Sequence, residues 1–220
     1  MATDRELVVA RDETARFFDE MAPRYDADLV DLGWDPIALV QDWGIVAPPG
    51  STVLDAGCGT GAVLQHSRGA GRQLIGFDHS EGMVNQARRR GLSDARLDVM
   101  SASATWPADD DSVDVAFALA MLEFVERLDL ALDELGRVLR PGGRALVTVE
   151  DRHDWGGIER EAHERRYGEF SLWRRSREEV ELCLPPGLEV VREDRVKGYL
   201  VLERGFTCAY WVLELRRAEA

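Results

Sequence analysis

Apolar residues follow two rhythms along this chain, short unbroken runs and stretches that repeat every three to four positions. Val53 and Leu54 open one run, which enters a loop with glycine at 57, 59 and 61. Ala62, Val63 and Leu64 leave that loop on a helical pattern, so the stretch predicts strand, tight turn and helix. Residues 73–78 read as a second strand. Ser80 is placed to cap a following helix whose inner face is Met83, Val84 and Ala87. Residues 95–99 are a short third strand. Residues 112–118 are a fourth, apolar enough to be covered on both faces. Residues 127–140 form the clearest helix, with Leu128, Ala131, Leu132, Leu135, Val138 and Leu139 on one side. Leu139-Arg140-Pro141-Gly142-Gly143 is expected to stop that helix and reverse the chain into a fifth strand at 144–150. Residues 188–196 and 206–215 are β-rich and close enough for a hairpin. Upstream, residues 14–25 read as a helix presenting Phe17, Phe18 and Met21, broken by Pro23. Strands alternating with helices imply a layered α/β domain.

Composition narrows the function. The chain has 220 residues, enough for one domain with a full core, and its hydrophobic (45%) and charged (31%) fractions are globular values. A net charge of −14 opposes nucleic acid as a partner. Cys58, Cys183 and Cys208 are scattered, with no metal-ligand spacing, and read as free thiols. The consecutive acids Asp109, Asp110 and Asp111 sit in a turn and make a poor metal cage, so no metal site is expected. The charged N-terminus lacks a signal-peptide core and no run reaches membrane-spanning length; the expectation is a cytoplasmic protein without membrane partners.

The glycine loop carries the chemistry. Glycine lets backbone approach a ligand closely, and the helix after the loop offers unpaired N–H groups. Asp78 closes the second strand roughly twenty residues further on, where a carboxylate can accept from both ribose hydroxyls. Gly57, Gly59 and Ala62 satisfy the dinucleotide pattern G-x-G-x-x-G/A, so an NAD-dependent oxidoreductase is one reading. The fuller run Asp55-x-Gly57-x-Gly59-x-Gly61 instead resembles motif I of class I S-adenosylmethionine-dependent methyltransferases. The L-x-P-G-G turn at 139–143 is characteristic of the same class. The segment from Phe17 to Asp26 resembles the leader of its small-molecule, ubiquinone-biosynthesis-type members.

That resemblance implies a three-layer Rossmann-like α/β/α fold with a seven-stranded, mostly parallel sheet ending in an antiparallel hairpin. It implies a single domain over 1–220, with residues 1–50 as a helical cap and 151–187 as a substrate lid. The implied cofactor is S-adenosyl-L-methionine, leaving as S-adenosyl-L-homocysteine. Its implied contacts are Tyr25, Asp55, Ala56, Gly57, Gly59, Gly61, Asp78, His79, Met83, Asp98, Val99, Ala118 and Leu119. Among these, Asp98 would bond the adenine amino group and Val99 would pack on the ring. Met121 follows at the cleft. Where the family often reads L-E-H-V, this chain has Leu122-Glu123-Phe124-Val125, so a histidine base is missing there. Glu150, Asp151, His153 and Trp155 are expected to point into the cleft, with His153 as general base because imidazole titrates near neutrality. Tyr167, Phe170 and Trp173 belong to the lid, as does His163, and residues 197–205 are expected to overhang the site. His66 is expected on an exposed helix face. The acceptor is a small molecule with an oxygen, nitrogen or carbon nucleophile, and the chain a monomer or homodimer. A cofactor-binding protein without turnover is the other alternative.

Overall fold

The computed structural model describes residues 4–166 and 170–219. In chain order these are helices α1 (Asp4–Met21), α2 (Tyr25–Leu32) and α3 (Pro36–Trp43), strand β1 (Thr52–Ala56), helix α4 (Ala62–Ser67), strand β2 (Gln73–Asp78), helix α5 (Glu81–Arg89), and strands β3 (Arg96–Val99) and β4 (Val113–Ala118). A single 3-10 turn (Leu122–Phe124), helix α6 (Leu128–Val138) and strands β5 (Leu139–Glu150), β6 (His163–Arg166) and β7 (Phe170–Trp173) follow. Helix α7 (Arg177–Leu182) and strands β8 (Leu188–Val201) and β9 (Phe206–Arg217) complete the order. Tyr167 lies outside the described residues.

Seven strands form one sheet in the order β3-β2-β1-β4-β5-β9-β8. The first five run parallel, and β9 pairs antiparallel with both β5 and β8. The direction of strand order reverses between β1 and β4, which opens a crevice at their carboxyl ends. Side chains of α3, α4 and α5 fill one face of the sheet, and those of α6 and α7 fill the other. Leu128, Ala131, Leu132, Leu135 and Val138 are the buried stripe of α6, as the periodicity predicts.

The leader is two helices, not one. Helix α1 ends at Met21, the turn around Pro23 follows, and Tyr25 opens α2. The Pro141-Gly142-Gly143 segment also departs from expectation. It does not end a helix: α6 stops at Val138 and β5 begins at once, with Leu139 opposite Val113 and Arg144 opposite Val115. The prolyl-glycyl run is therefore a bulge looped out of a continuous strand. A Cβ at Gly143 would lie 2.8 Å from the Arg140 carbonyl oxygen, so only glycine fits that fold of the chain. Nor do residues 197–205 overhang the site. Strand β8 runs on to Val201 with a register shift between Lys197 and Leu200. Gly198 allows this, because a Cβ there would meet Cys208 Sγ at 2.5 Å.

Candidate active site

The loop after β1 is shaped by three left-handed glycines with different neighbours. Gly57 (φ +68°) has Met121 directly over it, 2.6 Å from where a Cβ would stand. Gly61 (φ +81°) is the N-cap of α4, and its missing Cβ makes room for Leu92 and Ala87. Gly59 (φ +51°) alone of the three faces open space, with Tyr25 Cε1 at 3.8 Å its nearest neighbour. Tyr25 is brought there by its neighbour. Asp26 accepts from the Thr60 hydroxyl at 2.6 Å and pairs with Arg90, so α2 is pinned to the loop and the phenol covers it.

Asp78 faces this loop. Its carboxylate accepts from the Gly59 N–H at 2.8 Å and the Ser80 N–H at 2.9 Å. Burial pushes its pKa up to about 6, against the lowering effect of those two N–H donors. Asp55, at the end of β1, is fully enclosed under the loop. Burial first, and the nearby Asp78 second, hold its carboxyl well above the usual range, which favours the neutral form and leaves the ionised form to Asp78. Burial also raises the Cys58 thiol and the Tyr25 phenol.

One cavity joins these groups. Gly57, Gly59, Asp78, His79 and Met83 line one end, with Met100 to Ser103 beyond β3. Leu119, Ala120 and Met121 form the floor past β4. Ala120 holds a left-handed conformation (φ +50°) and donates its N–H to Thr148 Oγ at 2.7 Å, an arrangement that turns Met121 under the glycine loop. Thr14, Phe18, Phe124, Val125, Glu126, Ser171 and Trp173 make the aromatic end of the lining, and Tyr25 lies over the glycine loop. Helix α1 reaches the cavity by docking on α5: Asp19 accepts from Ser80 Oγ at 2.5 Å and from the Gly82 N–H at 2.7 Å. A carboxylate there complements the positive end of α5.

Of the expected cofactor contacts, Tyr25, Gly57, Gly59, Asp78, His79, Met83 and Leu119 line the cavity. Asp55, Ala56 and Ala118 do not; they are buried in the strand ends beneath it. Gly61 packs α4 on α5, as above. Asp98 and Val99 are also outside the lining. The Asp98 carboxylate is half-exposed and pairs with Arg96 Nε at 2.8 Å, and Val99 is 46% exposed. The chain turns into the cavity only one residue later, at Met100. His153 also lies outside the described lining: its side chain is 48% exposed and 3.8 Å from the Asp151 carboxylate. Glu150 and Asp151 are buried in ion pairs with Arg174 Nε and Arg195 Nε, each at 2.6 Å, and brace the following segment instead of facing the cleft. Trp155 and His66 are exposed. Trp173, expected in the lid, lines the cavity, whereas Phe18, Met100, Phe124 and Glu126 were not assigned to the site by sequence, since no local motif marks them. For Phe124, the departure from L-E-H-V is the one available signal.

Among the described residues no cluster of His, Cys, Asp and Glu could hold a metal, and no helix is long and apolar enough to cross a membrane.

Comparison with known proteins places this geometry. Residues 54–147, from β1 into β5, match the methyltransferase domain family. Over that segment the chain is similar to methyltransferase domains. It is 37% identical over 139 residues to the demethylmenaquinone methyltransferase of Clavibacter sepedonicus, covering 61% of this chain and 57% of that protein. It is 40% identical over 100 residues to the malonyl-[acyl-carrier protein] O-methyltransferase of Yersinia pestis, covering 46% and 37%. The chain thus spans about half or less of the length of these curated relatives. In fold it is similar to the 1,6-didemethyltoxoflavin-N1-methyltransferase of Burkholderia thailandensis, with a TM-score of 0.68 at 17% identity over 100% of this chain and 92% of that one. That enzyme's structure contains 1,6-didemethyltoxoflavin and S-adenosylhomocysteine. A SAM-dependent methyltransferase of Methanosarcina mazei gives 0.66 at 19% identity, covering 85% and 99%.

Proposed function

We propose that this chain binds S-adenosylmethionine across the carboxyl ends of β1, β2 and β4 and passes its methyl group to a small-molecule acceptor. The observation that carries the reading is the bare backbone at Gly59, open to the cavity and tied by its own N–H to the Asp78 carboxylate. A side chain at Gly59 would enter the space a cofactor needs, and both Asp78 oxygens keep lone pairs for ribose hydroxyls beyond the N–H groups they already accept from. When bound, the cofactor would supply an electrophilic sulfonium methyl for an electron pair of the acceptor.

The chain's own residues then have three tasks. Gly57, Gly59 and Asp78 hold the cofactor; Leu119 to Met121 set the floor at the reacting end; the aromatic end aligns the acceptor and excludes water. With His153 away from the cavity, we assign catalysis to positioning. A proton released by the acceptor passes to water or to Glu126 at the rim. The acidic net charge of −14 speaks against a nucleic-acid acceptor. The same reading takes the protein to be cytoplasmic and monomeric or dimeric, with 1–50 as cap and 151–187 as lid.

Calorimetric titration with S-adenosylhomocysteine and with NADH separates this from an oxidoreductase: the former should bind far more tightly, and the reverse order would overturn the proposal. Labelled S-adenosylmethionine incubated with phenols, amines and carboxylic acids then tests turnover. Binding without transfer to any acceptor would make the chain a cofactor-binding protein.

A further inference from the structure

The geometry points to a flat aromatic acceptor carrying no negative charge, seated at the aromatic end of the cavity. This rests on the methyl-transfer reading above and goes beyond it by naming what the acceptor must look like. Three separate elements bring rings to that end: Phe18 on α1, Phe124 on the 3-10 turn and Trp173 on β7. These rings are already packed. Phe18 and Phe124 meet edge to face with centroids 5.3 Å apart, and Phe170 closes the cluster at 5.6 Å from Phe124. Trp173 is backed by His163, centroids 4.9 Å apart and 31° from parallel. Rings fixed before a ligand arrives lose little freedom on binding, and they favour another ring by stacking and edge contacts.

Charge selects within that class. The described lining residues include two acids, Asp78 and Glu126, and neither Arg nor Lys. Glu126 is exposed at the rim, and its position is fixed from below, because the buried Arg175 donates to the Val125 and Glu126 carbonyl oxygens at 2.6 and 2.8 Å. The Arg175 guanidinium is thereby committed to main chain, and the carboxylate is what an incoming ligand meets. A carboxylate or phosphate on the acceptor would be repelled there, while a phenol, an aromatic amine or a protonated ring nitrogen would be accepted.

The test begins with S-adenosylhomocysteine binding to the full chain. The loaded protein is then titrated with naphthol, aminoquinoline, naphthoate and decanol, read by calorimetry. Naphthol and aminoquinoline should bind, with naphthoate about tenfold weaker through its charge. Glu126→Gln should shrink that gap to about threefold or less by removing the opposing carboxylate. Trp173→Ala should weaken naphthol about tenfold through the lost ring contact, with the S-adenosylhomocysteine affinity retained. Naphthoate or decanol binding as tightly as naphthol, an unchanged gap in Glu126→Gln, or no ring binding by the loaded protein would each overturn the inference alone. Failure of S-adenosylhomocysteine itself to bind would sink the methyl-transfer reading, and this one with it.

Discussion

Gly59 and Gly61 sit two positions apart in one motif and do different work. Gly59 opens on the cavity; Gly61 lets α4 lie against Leu92 and Ala87. Gly61→Ala should therefore cost about 2–4 kcal/mol of stability, from overpacking plus the left-handed backbone. Thermal unfolding measures it, and a protein that keeps its ligand affinity per folded molecule fits the packing role. Gly59→Val should weaken S-adenosylhomocysteine about a hundredfold by occupying its space, beyond any loss of fold. Asp78 gives a third residue-scale test. Its pKa of about 6 is raised above the unfolded value, so its protonation stabilises the ligand-free fold at low pH, and that contribution is lost as pH rises from about 4 to about 6. Ligand affinity should rise over the upper part of that window as the carboxylate ionises. Asp78→Asn should flatten both profiles and weaken S-adenosylhomocysteine by about 1.5–3 kcal/mol. A pH profile unchanged by the substitution would show that another group titrates.

Among the elements, those with local signals were legible. The α6 stripe and the Ser80 cap of α5 stand where the sequence puts them, because each depends on residues within one or two turns. The bulge in β5 was not legible: proline and two glycines suit a helix stop as well as a strand bulge, and the choice is made by the neighbouring β4. The docking of α1 was also hidden. It depends on Gly82, where a Cβ would stand 2.9 Å from Asp19 Cα, a contact between main chains that sequence spacing does not announce. Gly82→Ala should push α1 off α5, weakening both cofactor and acceptor binding while the sheet's thermal unfolding changes by only about 1–2 kcal/mol. Intact affinity in that variant would mean that α1 is not part of the site.

For the molecule as a whole, the parallel strands and the loop that meets Asp78 were readable from a few glycines, an acid and the strand pattern. The acceptor end was not, because Phe18, Phe124 and Phe170 meet only after the whole chain has folded. What holds their segments to the sheet is equally non-local. Arg174, enclosed between Glu150 at 2.6 Å and Glu164 at 2.8 Å, ties the β6–β7 hairpin to the end of β5. Removing that cation by Arg174→Met should cost about 3–5 kcal/mol, since two carboxylates lose a buried counter-charge. Denaturant unfolding measures this, and a loss below 1 kcal/mol would show that the pairs are not what secures the hairpin. The glycine loop and Asp78 stand on the parallel strands, whereas the three rings stand on a leader helix, a short turn and a peripheral hairpin. On the proposed reading, selectivity is separable from the shared core, and grafting those three outlying pieces from one homologue onto another should retune which compounds are bound without rebuilding the framework.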